Sequence, residues 1–259
     1  MSTLEQESAR ERSTTAVRAG RILSEVALIG LLYVGYSCSR LLASDALAPA
    51  LGRAAELVRV ERLLGLHWEL VLNQLFADVR IIGLLGSYWY ATAHYIVTAI
   101  TLVWLYRVGQ YAYVPARRAL VAATLIGLAI YLSVPTAPPR FVGGYIDVLK
   151  LNAADGWWGG DASAPRGLGG LTNQLAAFPS LHAGWALWVA IVVHRHARHR
   201  ITRTLGWAHA AITAVVIVGT GNHWVIDVVF GWLVVLAGFL LADGLSASRT
   251  ITGRPRSPR

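Results

Sequence analysis

The sequence predicts an all-α, polytopic membrane protein with about six transmembrane helices, both termini in the cytoplasm and one further helix in the outer interface. Hydrophobic residues make up 55% of the 259 residues, charged residues only 14%, and the mean hydropathy is +0.50. Soluble domains carry about a quarter charged residues, so this composition indicates a membrane protein. Arginines are concentrated between the apolar segments, as in the loops of such proteins.

Six apolar segments define the predicted spans. They lie near 22–42, 81–106, 119–135, 179–194, 205–220 and 223–242. Segments of about 20 residues can cross a bilayer as helices, and the first one follows a polar, arginine-rich start, as in a retained signal anchor. We therefore expect a basic cytoplasmic tail at 1–21, a membrane domain at 22–243 and a second basic tail at 244–259.

The distribution of basic residues predicts the orientation. If the N-terminus is cytoplasmic, most of the 23 basic residues fall on the cytoplasmic side, in 10–21, 107–118, 195–203 and 249–259. This is the positive-inside asymmetry, and an odd number of spans would destroy it. After the first span, residues 45–70 repeat apolar positions at helical spacing with charges on the other face, which predicts a helix in the outer interface.

Several other functions are disfavoured. The arginines do not follow one face together with stacking aromatic residues, so nucleic-acid binding is not expected. The single cysteine, Cys38, cannot form an internal disulfide. The run HRHARHR, with His194, His196 and His199, resembles a metal cluster, but its arginines would repel a cation, and we interpret it as a basic connector. No metal and no cofactor is expected.

Asp227 lies inside the last apolar segment, four residues after His223. A charge within a membrane helix is unfavourable by ~2.5–3.5 kcal/mol unless it is paired or faces a cavity. This spacing puts both side chains on one helix face, where the carboxylate can accept the imidazole Nδ1–H and leave Nε2 as a nucleophile. Taken alone, the pair is better interpreted as a polar contact between packed helices.

Two more polar groups reach the same predicted membrane face as His223. His182 begins a helix in FPSLHAGW, and Arg140 follows a helix in VPTAPPRF. The helix start at Pro179 and Ser180 offers free N–H groups to an anion, Arg140 can clamp a phosphate, and His182 can donate a proton to a leaving oxygen. Together they predict a phosphate site, against the alternative of three unrelated helix-end residues.

The segments PPR, FPSLHAGW and GNHWVIDVVFG, in this order, resemble the three signature segments of the type 2 phosphatidic acid phosphatase superfamily. The resemblance covers about residues 80–240. It implies a six-helix membrane core and metal-independent chemistry through phosphohistidine. By this resemblance His223 attacks phosphorus, Asp227 orients it, His182 protonates the leaving group and Arg140 holds the phosphoryl oxygens.

The chain departs from the general superfamily pattern at two expected cations. Ser133 stands where the first motif has Lys, and Ile217 stands where the third motif has Arg. Phosphoryl transfer depends on charge stabilisation, so other cations should replace them. Lys150 and Arg166 in the outer loop are the predicted replacements.

Other departures are similar to the inositol phosphotransferase branch, which includes fungal inositol phosphorylceramide synthase. They are Leu181 in place of Gly in the second motif, Trp224 after the third-motif histidine, and the later Gly231. Tyr90 and His94, in YWYATAHYIVTAITLVWLYR, are also similar to that branch and are predicted to bind substrate.

The predicted function is a lipid phosphotransferase that passes a phospho-headgroup, such as inositol phosphate, to an alcohol at the extracytoplasmic face. The alternatives are a phosphatase acting on lipid phosphates or polyprenyl pyrophosphates, and a non-catalytic transporter or scaffold. The expected partners are the bilayer, in a bacterial plasma membrane, and a phospholipid or polyprenyl-phosphate substrate. A homo-oligomer is left open.

Overall fold

The computed structural model describes residues 46–158 and 173–252, with side chains to Gly244, and the isolated residues Gly20, Glu25, Ala27 and Gly30. Contacts divide the chain into a unit of Met1–Leu42 and a unit of Ala43–Arg259. The architecture below belongs to the second unit. The predicted first span, 22–42, lies almost entirely outside the described residues, as does most of both predicted tails.

All the regular elements of the described residues are helical. They are α1 (Leu47–Leu63), α2 (Glu69–Asp78), α3 (Arg80–Val108), α4 (Gln110–Ser133), α5 (Val148–Leu151), α6 (Leu181–His196), α7 (Arg200–Gly219) and α8 (Val225–Thr252), with 3-10 turns at Pro139–Phe141 and Ala153–Asp155. An isolated bridge joins Thr136 and Ala176. The all-α prediction is therefore confirmed for the described residues.

Three described helices are long and apolar enough to cross a membrane: α4, α7 and the Val225–Gly244 part of α8. The pair α2 and α3, bent by 110° around Val79, adds a fourth if it counts as one span. Helix α6 has 16 residues, which is about 24 Å and shorter than the ~30 Å hydrocarbon core. The count of six spans stays a prediction.

Two element boundaries differ from the sequence-based expectation. The predicted interface helix at 45–70 is two helices, because α1 ends at Leu63 and the chain turns through Gly65 in the left-handed region. Helix α4 begins at Gln110 rather than near residue 119. Hydropathy detects only the apolar part of a helix, so the polar first turns of α4 were not visible in the sequence.

The core of the bundle lies where α4 packs along α8 and α6 packs along α7 and α8. Its members include Leu105, Leu120, Trp188, Val192 and Val235. The outward faces also carry large apolar side chains, among them Ile100, Leu205 and Leu240. Helices that are apolar on both the packed and the outward faces are typical of a membrane environment.

The start of helix α6 packs closely on helix α8 at Gly231. A Cβ atom added there would lie 2.1 Å from the carbonyl oxygen of Ser180. That oxygen belongs to the backbone just before α6 and cannot rotate away. The contact requires glycine for steric reasons, and it brings the two helix starts together.

Substitution Gly231→Ala should therefore destabilise the fold by about 1–3 kcal/mol, the usual range for overpacking, and lower the thermal midpoint in detergent by several degrees. Gly52→Ala, in α1, is the matched control because a Cβ there meets open space. The control should keep or raise the midpoint, since Ala favours helix over Gly. Equal midpoints for the two variants would contradict the close approach.

Candidate active site

His223 lies in the turn at 220–224 between α7 and α8, outside both candidate spans. Gly221, with φ +76°, gives the turn its left-handed step. The His223 Nδ1 atom lies 2.9 Å from the carbonyl oxygen of Ala177 and 3.3 Å from Asp227 Oδ2. A carbonyl oxygen can only accept, so Nδ1 carries the proton and Nε2 keeps a free lone pair.

Asp227 is fully buried in the first turn of α8. Its Oδ2 atom accepts the backbone N–H of Trp224 at 2.8 Å as well as facing His223. The side chains of His223 and Asp227 lie next to each other, as the spacing predicted. The Ala177 carbonyl oxygen is nevertheless closer to His223 Nδ1 than the Asp227 carboxylate is. Sequence reasoning missed that carbonyl, because a backbone acceptor has no side-chain signature. The orienting role of Asp227 stays a prediction.

The His223 imidazole is in a state suited to nucleophilic attack. Burial lowers its pKa below the ordinary value of 6.5, and the positive charge of Arg140 lowers it further, against the opposing effect of the Ala177 carbonyl. The ring is therefore neutral at physiological pH. A neutral imidazole with a free Nε2 can attack an electrophilic phosphorus.

Three further aromatic rings gather around His223. His182, in the first turn of α6, has its ring centroid 5.5 Å from that of His223. Tyr90 stacks on His182 at 4.5 Å, and His94 lies 4.0 Å from His182. Tyr90 also lies 6.4 Å from His223. The structure thus brings the two predicted substrate-binding residues of α3 together with the two motif histidines.

Arg140 is tied to the turn that carries His223. Its backbone N–H donates to the Gly221 carbonyl at 2.9 Å, and its guanidinium donates to Asn222 Oδ1. Its Nε atom lies 3.6 Å from Asp147 Oδ2, and the side chain is 9% exposed. Burial lowers the pKa of this guanidinium, while Tyr90 and Asp147 counteract the shift. The site therefore holds a fixed cation near His223.

Ser180 and Leu181 act at the start of α6. The Ser180 hydroxyl accepts the Ala183 N–H at 3.3 Å, so it caps the helix, and the residue is fully buried. Its predicted contact with phosphate stays a prediction. The Leu181 side chain packs on Gly127 of α4, where an added Cβ would lie 2.6 Å from Leu181 Cδ2. A glycine on the neighbouring helix makes room for the leucine that replaces the superfamily glycine.

The two predicted replacement cations are not joined to this cluster by described contacts. Lys150 is exposed in α5, and its backbone N–H donates to the Asp147 carboxylate at 3.0 Å. Arg166 lies in 159–172, outside the described residues. Their phosphate-binding role stays a prediction.

Sequence reasoning missed three residues that build this site. Asn222 holds the Arg140 guanidinium, while Glu61 and Glu69 accept the backbone N–H groups at the start of α8. Asn222 stands directly beside His223 in the third motif, which was a usable signal. The two glutamates occur in the charged stretch ERLLGLHWE, where acids are normally solvated, so their burial could not be read from the sequence.

The match to known families agrees with this geometry. The pattern of the PAP2 superfamily matches residues 55–241, a range that includes every residue of the His223 cluster. The chain belongs to the PAP2 superfamily. Membership indicates phosphatase or phosphotransferase chemistry on lipid phosphoesters and, with the apolar helices, a membrane protein. No curated protein and no solved structure matches this PAP2 chain.

Proposed function

We propose that the chain is a lipid phosphotransferase that forms a phosphohistidine on His223 and passes a phospho-headgroup, such as inositol phosphate, to an alcohol. The observation that carries the proposal is the convergence of His182, His223 and Arg140, with 5.5 Å between the two imidazole centroids. This is the set of groups needed for nucleophilic attack, proton transfer and charge stabilisation at phosphorus.

The proposed reaction has two displacement steps and needs no metal at phosphorus. In the first, the His223 Nε2 lone pair forms a bond to phosphorus, and the bond to the departing oxygen breaks as that oxygen takes a proton from His182, which has to carry that proton once the anionic substrate is bound. In the second, the acceptor hydroxyl gives its proton to His182 and attacks phosphorus, and the P–N bond breaks. Arg140 neutralises the phosphoryl oxygens throughout.

The surroundings of His182 favour transfer over hydrolysis. The Tyr90 and His94 rings lie against the His182 ring and are each only 7% exposed. Rings packed in this way limit the access of water to His182. The polar atoms of the Tyr90 and His94 rings can orient a larger alcohol. If water is instead the acceptor, the same site makes the protein a phosphatase of lipid phosphates or polyprenyl pyrophosphates.

A groove beside Arg140 supports a lipid substrate. It has a volume of about 780 Å³ and is lined by Leu51, Ala54, Val58, Arg59, Arg62 and Phe141, among others. The Arg140 guanidinium lies 5.0 Å from the centre of the Phe141 ring, so the groove adjoins the phosphate clamp. Apolar walls with arginines suit an acyl chain and an anionic headgroup.

The proposed site faces the extracytoplasmic side. Helices α6 and α8 both start at the site, and their far ends approach the arginine-rich segments at 195–203 and 249–259. Basic segments favour the cytoplasm. The site at the opposite ends of these helices is then external, in what we take to be a bacterial plasma membrane.

Tyr90 is proposed to act by positioning His182, which a leaving-group comparison can test. In Tyr90→Leu, kcat/KM for an alkyl phosphodiester should fall about 10- to 100-fold, within the usual contribution of a general acid. The nitrophenyl ester of the same headgroup should lose far less, because its leaving oxygen needs no proton. Tyr90→Phe keeps the ring and should preserve the ratio of the two rates. Equal losses on both esters would rule out action through His182.

The transferase proposal is tested with purified protein and phosphatidylinositol labelled at phosphorus, with and without a lipid alcohol such as ceramide or diacylglycerol. The expected result is label in the acceptor lipid and little release without an acceptor. His199→Ala, at an exposed histidine, is the matched control and should behave as wild type. Free inositol phosphate formed at the same rate without an acceptor would replace transfer by hydrolysis.

A further inference from the structure

Two buried glutamates and a histidine meet against the first turn of α8. Glu61, near the end of α1, and Glu69, the first residue of α2, are both fully buried, and the His67 side chain is 28% exposed. One nitrogen or oxygen atom of each lies within 4.8 Å of the others. We call these three residues the Glu–His–Glu cluster.

Each glutamate uses one of its oxygens to accept a backbone N–H at the start of α8. Glu61 Oε1 accepts the Ile226 N–H at 2.7 Å, and Glu69 Oε1 accepts the Val225 N–H at 3.1 Å. Both Oε2 atoms and His67 Nδ1 lack a well-formed hydrogen bond among the described residues, although His67 Nδ1 faces Glu69 Oε2 at 3.2 Å. Two adjacent buried carboxylates cannot both stay ionised without a nearby positive charge. The unpartnered atoms therefore converge on a place that requires a cation or a proton.

We propose that the Glu–His–Glu cluster binds one zinc ion with a structural role. An imidazole nitrogen with two carboxylate oxygens can bind Zn²⁺, with a water molecule in the fourth position, whereas Ca²⁺ and Mg²⁺ prefer oxygen ligands alone. Tetrahedral zinc with bonds of about 2.0–2.2 Å places its ligand atoms about 3.4 Å apart. His67 Nδ1 and Glu69 Oε2 are already 3.2 Å apart. The ligand atoms of all three residues lie within 4.8 Å of one another, so zinc binding requires a small movement of the Glu61 carboxylate.

The competing occupant is a proton. Burial raises the pKa of Glu61 to about 9, with further contributions from Glu69 and Asp227. Tyr145, whose pKa burial raises to about 12, is the other titratable group that interacts with both glutamates, and it stays neutral. Any proton held by the cluster has to leave when zinc binds.

The ion would fasten the helix that follows His223. Its carboxylate ligands are the groups whose other oxygens hold the Val225 and Ile226 N–H groups, so one ion would join α1, α2 and the start of α8. Hydrogen bonds between metal ligands and the surrounding protein commonly hold the ligands in the orientation that the metal needs. This zinc plays no part in the phosphoryl chemistry, and the inference does not rest on the proposed function.

The test uses the untagged full-length protein in detergent, stripped with a chelator and then titrated with ZnCl₂. We expect one zinc per chain by elemental analysis after desalting, and a rise of ~5–10 °C in the thermal midpoint at zinc a hundredfold above Kd. His67→Ala should abolish both the retained zinc and the shift. It should change the midpoint of the stripped protein much less than zinc does, because the His67 side chain is 28% exposed and its Nδ1 faces a single carboxylate.

Two further variants distinguish zinc bound at the Glu–His–Glu cluster from zinc bound by the connector histidines. Glu61→Gln keeps an oxygen for the Ile226 N–H and should lose zinc while it still folds. The triple variant His194→Ala, His196→Ala, His199→Ala removes the connector histidines and should keep one zinc per chain. The proposal is overturned if wild type retains no zinc and shows no shift. It is equally overturned if the triple variant loses the zinc while His67→Ala retains it.

Discussion

The backbone N–H groups at the start of α8 are held by buried carboxylates, and the position of His223 depends on this arrangement. The pairs are Trp224 with Asp227, Val225 with Glu69 and Ile226 with Glu61. The first N–H groups of a helix have no partner within it, and a buried N–H left unpaired costs about 1–3 kcal/mol. A carboxyl oxygen satisfies each of these N–H groups, whether or not the carboxyl group is ionised.

The same region joins the three motif segments through backbone hydrogen bonds. The Arg140 N–H donates to the carbonyl of Gly221, and the Ser180 N–H donates to the carbonyl of Asp227. The segments that carry Arg140, His182 and His223 are therefore connected through the backbone, without the side chains of these three residues. A support of this kind keeps reacting groups within the narrow tolerances that phosphoryl transfer demands.

Candidate site residues could be predicted from the sequence where the chemistry allows few residue types. Prediction failed for residues whose burial is decided by tertiary contacts. His182, His223 and Arg140 could be found because few residue types transfer protons or clamp phosphate. His94 was recognisable as a polar residue in an apolar helix. Glu61 could not be recognised, because its burial depends on contact with α8, which lies far along the chain. The start of α4 was predicted wrongly for a related reason, because its polar first turns resemble a loop in the sequence.

Trapping of the covalent intermediate tests the central claim most directly. Purified protein is incubated with phosphatidylinositol labelled at phosphorus, without acceptor, quenched in alkali and digested for mapping of the labelled peptide. We expect an acid-labile, base-stable label on His223 that is absent from His223→Ala and present in the Gly52→Ala control. Label on another residue, or label that persists in His223→Ala, would contradict the phosphohistidine mechanism.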